Sequence, residues 1–152
     1  MGAKLLAILG LAMVAASPVD ARTCRSAPDD AAQVERAVRS FFAALANDDP
    51  TFERTVTKDF YAFELGKVLS AADLFQLVEA SHRVGRVINW GIGPMTVRVD
   101  CESALATWDN RGSAGVPPNI LPRRWLESAV LRRSPSGWRL GFLHSTVVSD
   151  AK

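Results

Sequence analysis

An α+β domain is predicted by a change of hydrophobic period along the chain and by the order of the two kinds of segment. In the first half, apolar residues recur at helical spacing; from Arg86 onward they alternate, as in half-buried strands. Helices followed by an antiparallel meander is the pattern of helices covering one face of a curved, mainly antiparallel sheet.

The first segment is set apart from that domain. Lys4 supplies a positive start, residues 5–16 are unbroken apolar sequence, and Ser17-Pro18-Val19-Asp20-Ala21 has the small residues of a cleavage site. The expectation is a signal peptide over residues 1–21, cut after Ala21, and a secreted or periplasmic protein. A membrane span would need about 20 apolar residues, and Pro18 and Asp20 break this run. Residues 22–152 remain, the size of one domain.

Ser26-Ala27-Pro28-Asp29 reads as a capping box ahead of Val34, Ala37, Val38, Phe41 and Leu45, a helix that ends near Asn47-Asp48-Asp49-Pro50. Residues 51–56 read as a short second helix, and residues 59–64 as a strand stopped by Gly66. Ser70 and Asp73 cap a third helix carrying Leu74, Leu77 and Val78. Strands are predicted over 87–91, 95–99, 104–110, 123–133 and 138–148. Turns fall at 100–103 and 134–137, and a longer loop at 112–122.

Eighteen basic and 16 acidic residues give a net charge of +2 with no dense basic stripe, which argues against a nucleic-acid partner. Arg123-Arg124 and Arg132-Arg133 read as solvated strand ends. Export makes a Cys24–Cys101 disulfide chemically reasonable, and two unbridged thiols are the alternative. With only His82 and His144, and no clustered ligands, no metal is expected. Neither a phosphate-binding glycine loop nor a nucleophile elbow is present: Gly85, Gly91 and Gly93 read as strand-end or bulge positions, and His82 as a helix C-terminal residue. No cofactor is expected.

The last hairpin, turning at Pro135-Ser136, sets Trp125 opposite Thr146, Glu127 opposite His144, Ala129 opposite Phe142 and Leu131 opposite Leu140. On a concave face, Glu127 and His144 would shift each other's proton affinity and could act as general base and orienting partner. A structural ion pair is the alternative reading. Trp90, Trp108, Trp125 and Trp138 all fall on predicted strands. Trp90, Trp108 and Trp125, with Asn110, Tyr61 and Phe63, would suit the apolar walls and few polar groups of a small-molecule site; core or interface packing is the other possibility.

Several phrases in order carry a resemblance: Val38-Arg39-Ser40-Phe41-Phe42-Ala43-Ala44-Leu45, Asp59-Phe60 leading to Glu64-Leu65-Gly66, Trp125-Leu126-Glu127-Ser128 and Gly137-Trp138-Arg139-Leu140. Together they resemble the nuclear transport factor 2-like superfamily, which includes ketosteroid isomerase, SnoaL-like cyclases and the association domain of calcium/calmodulin-dependent kinase II. The resemblance implies a cone-shaped fold, a pocket between helices and sheet, and a homodimer paired through the sheet. It places Glu64 where the isomerase carries its proton-shuttling carboxylate. Phe41 stands where that enzyme has a tyrosine, and no Asp lies near Ser128 or Ala129, so steroid isomerisation is disfavoured. Three functions fit: an exported homodimeric domain holding a small apolar or amphipathic molecule, a cofactor-free enzyme using Glu127–His144 and Glu64, or an assembly module.

Overall fold

The computed structural model describes residues 27–149; the leader, its cleavage site and Cys24 lie outside the described residues. Helix α1 (Asp30–Ala46) is followed by a 3-10 helix (Pro50–Thr55), strands β1 (Val56–Glu64) and β2 (Lys67–Ser70), and helix α2 (Ala71–Arg83). Strands β3 (Val87–Asn89), β4 (Ile92–Asp100), β5 (Ser103–Val116), β6 (Asn119–Ser134) and β7 (Gly137–Val147) complete the chain. All seven strands form one curved, open sheet in the order β2-β1-β7-β6-β5-β3, with β4 also paired to β5. Only the β1–β7 pair is parallel. No helix among the described residues is long and apolar enough to cross a membrane.

The core follows from α1. Val34, Val38, Phe41, Phe42 and Leu45 share one helical face, and all are buried against the concave side of the sheet. Phe41 meets Phe52 and Phe60 at ring-centroid distances of 5.1 and 5.8 Å. Each such side chain contributes about 1.5–3 kcal/mol by leaving water. The helix does not start as the capping box predicts: Asp29 makes no side-chain cap, and Ser26 lies outside the described residues. Instead the buried Asp30 carboxylate accepts from the Ala27 amide at 2.6 Å and from Arg133 Nη2 at 2.7 Å. The Arg133 guanidinium also lies 4.4 Å from the centre of the Trp138 ring, so this arginine is a packed partner rather than a solvated strand end.

Three elements differ from expectation. The second helix is a 3-10 turn, opened by Pro50 with Asp49 Oδ1 accepting from the Thr51 amide at 2.8 Å. Strand β2 was not anticipated: Leu65 and Gly66, with φ of 51° and 71°, form a two-residue turn that folds Lys67–Ser70 back on β1. Segment 112–122 is not a loop but the far end of the β5–β6 hairpin, paired from Ser103↔Arg132 to Val116↔Asn119. The sheet bends where β3 gives way to β4. There a Cβ on Gly112 would collide with the Asn89 carbonyl, and one on Gly91 with the Arg111 carbonyl. The bend wraps β3 toward the helices and closes one side of a cone.

Candidate functional site

The last hairpin holds the expected register from Ser134↔Gly137 to Leu131↔Leu140, then slips by one residue. Gly141 is the extra residue, a β-bulge that leaves Val130 opposite Phe142. Beyond it, Glu127 faces Ser145 and Ser128 faces His144. The Glu127–His144 pair is therefore not formed, because one inserted residue turns every later side chain of β7 to the other face. His144 sits exposed on the convex side, its Nε2 3.2 Å from Thr146 Oγ1 and its ring edge-on to Phe63.

On the concave side, α1, α2 and the sheet enclose a cavity of about 450 Å³. Phe42, Leu74, Val78, Trp90, Trp125 and Leu143 form much of its apolar wall. Glu127, 5% exposed, and Ser145 line the same space, and Glu64 reaches it from the end of β1. Behind Glu127, the fully buried Asn110 donates from Nδ2 to its Oε2 at 2.8 Å. The Trp108 indole N–H lies toward the same carboxyl without reaching full hydrogen-bond geometry. The Ser145 hydroxyl stands close to both carboxyls.

Burial pushes the Glu127 carboxyl up to about 7; Asn110, Ser145 and Trp108 favour the ionised form and hold it back, while Glu64 adds a like-charge push. Burial also raises Glu64, offset by the Ser145 hydroxyl, the Leu65 amide and, more weakly, His144. Near neutral pH Glu127 is thus divided between acid and carboxylate. Asn110 can serve both states, since its Nδ2 donates to a carboxylate and its Oδ1, left without a partner, can accept from an acid once the amide turns over. Two adjacent carboxyls with raised proton affinity in an apolar cavity can hold and pass a proton.

Of the residues singled out from sequence, the structure brings Glu127, Glu64, Trp90 and Trp125 to the cavity and sets Asn110 and Trp108 directly behind it. Tyr61 and Phe63 are not there: Phe60 and Ala62 take the inward positions of β1, which leaves Tyr61 44% and Phe63 42% exposed on the convex face against Phe142. Cys101 is disulfide-bonded; Cys24 lies outside the described residues. Phe41 is core, and its neighbour Phe42 is the cavity residue. Sequence reasoning missed Ser145, and the available signal was Gly141, because a glycine inside a strand often marks a bulge. Among the described residues no three His, Cys, Asp or Glu side chains come together as a metal site.

No family model and no curated protein matches this chain. Its backbone does match solved structures. The chain has the nuclear transport factor 2-like fold. A proposed dehydratase of that family from Streptomyces avermitilis superposes with a TM-score of 0.71 at 22% identity, covering 82% of this chain and all of that one (100%). A ketosteroid isomerase-like protein from Erwinia carotovora atroseptica gives 0.65 at 18% identity over 81% of this chain and 99% of its own. The calcium/calmodulin-dependent kinase II hub of S. rosetta gives 0.65 at 16% identity over 82% and 99%. Enzyme-like and assembly proteins therefore share this backbone, and function has to be argued from the site.

Proposed function

We propose that this chain is an exported, homodimeric small-ligand-binding domain whose cone holds an amphipathic molecule with Glu127 as its polar anchor. The observation that carries the ligand reading is the state of Glu127: nearly buried, on a cavity wall, in contact with the neutral Asn110, Ser145 and Trp108 side chains and paired with no cation among the described residues. The other buried carboxylate of the described residues, Asp30, is closed by Arg133 at 2.7 Å. Leaving a carboxyl desolvated costs several kcal/mol, and a ligand-sized apolar cavity with few polar groups is the usual form of a binding site. The Cys101 disulfide supports the export reading, since such bonds persist outside the cytosol.

The convex face supports the dimer. Leu105, Val130, Phe142 and Tyr61 lie in one row across β5, β6, β7 and β1, an apolar strip continued by Phe63 and Leu126. A second copy of this chain is its proposed occupant, in keeping with the hub-type neighbour. The Glu64–Glu127 pair favours a second reading, a cofactor-free proton transfer in which Glu64 removes a proton and Glu127 as acid donates to an oxygen.

Emission of Trp90 and Trp125 during titration with a library of amphipathic carbonyl and hydroxyl compounds tests the ligand reading. Saturable quenching is expected, weakened about tenfold or more by Glu127→Leu. No response to any compound would contradict it. Sedimentation tests the dimer: the wild type is expected as a dimer and Phe142→Lys as a monomer, and a monomeric wild type would contradict that part.

A further inference from the structure

The cavity is charged in opposite senses at its two ends. Its wall holds the buried Glu127, with the half-buried Glu64 at the end of β1; its mouth carries Arg86, ahead of β3, and Arg123 on β6, both exposed. Strand alternation puts Arg86 on the same face as Ile88 and Trp90, and Arg123 on the same face as Trp125 and Glu127. Their situation contrasts with the other arginines of β6. Arg124 is paired with Asp109 at 3.0 Å, Arg132 with Asp59 at 2.8 Å and Arg133 with Asp30 at 2.7 Å. Arg86 and Arg123 have no carboxylate or side-chain hydrogen-bond partner among the described residues.

We infer that Arg86 and Arg123 form an anion subsite at the mouth of the cone, so that the ligand is an organic anion whose carboxylate or sulfonate stays at the mouth while its apolar body enters. This inference rests on the ligand-binding reading above and specifies its chemistry. Orientation follows from charge: an anionic head pushed inward would meet Glu64 and Glu127, whereas at the mouth it meets two guanidiniums able to bind an anion through paired N–H donors. Length follows from register. Arg123 and Glu127 share a face four residues apart on one strand, roughly 13 Å at about 3.3 Å per residue. The ligand thus carries its head group about that far from any oxygen that engages Glu127, with Trp90 and Trp125 flanking the apolar part. At such a partly exposed site the two ion pairs together are expected to give about tenfold in affinity, about 1.4 kcal/mol.

A matched pair of fluorescent probes tests this: 8-anilinonaphthalene-1-sulfonate and its uncharged counterpart N-phenyl-1-naphthylamine, which share the aromatic body and differ in the sulfonate. Wild-type protein is expected to bind the sulfonate about tenfold more tightly than the neutral probe. Arg86→Gln with Arg123→Gln is expected to remove that advantage and leave the neutral probe unchanged. Both substitutions are on exposed side chains, and circular dichroism confirms that the fold is kept. Ser81→Trp at the mouth and Ala114→Phe on the β5 wall narrow the cavity by independent routes, and each is expected to weaken both probes. If the neutral probe binds and responds to narrowing but the sulfonate gains nothing from the arginines, the anion subsite is refuted and the cavity reading stands. If neither probe responds to narrowing, binding is elsewhere and both readings are refuted.

Discussion

Two carboxylates one row apart on neighbouring strands have opposite chemistry in this protein. Trp108 pairs with Glu127 and Asp109 with Leu126, so Glu127 looks into the cone and Asp109 outward. Asp109 accepts from Arg124 Nε at 3.0 Å and from Arg111 Nη2 at 2.9 Å, and the Arg124 bond above all holds it below the usual aspartate range. Glu127 has no cation partner among the described residues and is 5% exposed, and burial pushes its carboxyl up to about 7. The difference teaches that strand face, rather than residue type, sets the chemistry. Face is a matter of register, and in β7 register is a matter of Gly141.

The comparison can be broken most severely at that bulge. Deleting Gly141 would turn residues 142–147 to the opposite face, sending His144 inward and Ser145 and Leu143 outward. The expected loss is about 3 kcal/mol or more, at the upper end of single changes, read as a fall in the urea midpoint. A variant as stable as wild type would show that the bulge does not fix the register.

Glu127→Gln sharpens the comparison through pH. The folded protein holds the Glu127 proton more tightly than the unfolded chain, whose value is near 4.5. Both states are protonated below that value, so there Glu127 adds no slope; as pH rises from about 4.5 to about 7, folding loses up to about 3 kcal/mol. Glu127→Gln is therefore expected to match wild type near pH 4 and exceed it near pH 8, measured as melting temperature against pH. A constant difference between the two curves would remove the basis for a desolvated Glu127. Glu64→Gln takes away the like-charge push and is expected to lower the Glu127 titration midpoint, seen in the carboxyl NMR signal of Glu127.

Asp109→Asn is expected to have the smallest effect and the opposite pH sense. The folded-state value of Asp109 is depressed, so its contribution is present above the ordinary aspartate value of 3.8 and fades as pH falls through the depressed one. The cost of the substitution should be small at pH 7 and vanish in acid. A cost that grows in acid would reverse the assignment of the two faces.

The fold was legible because it is written in periodicity. The α1 face from Val34 to Leu45 and the alternation of β4 to β7 are local patterns that a curved sheet and its covering helices require. What escaped was set by single backbone features. Leu65, a residue that disfavours positive φ, hides the turn to β2, and the prolines at 117 and 118 disguise the β5–β6 turn as a loop. The site was half legible for the same reason: Glu127 and Trp90 follow from residue type and strand alternation, and Glu64 from the family resemblance. Ser145 for His144 needed the bulge, and the outward turn of Tyr61 and Phe63 followed from the packing of Phe60 and Ala62.

The most direct test of Glu127 as the desolvated polar group of the cone is its own titration, followed by 13C-carboxyl NMR with Glu127→Gln to assign the signal. A midpoint about 7 is expected. A midpoint near 4.5, the ordinary glutamate value, would mean that water reaches Glu127 freely and that the cavity does not hold it as proposed.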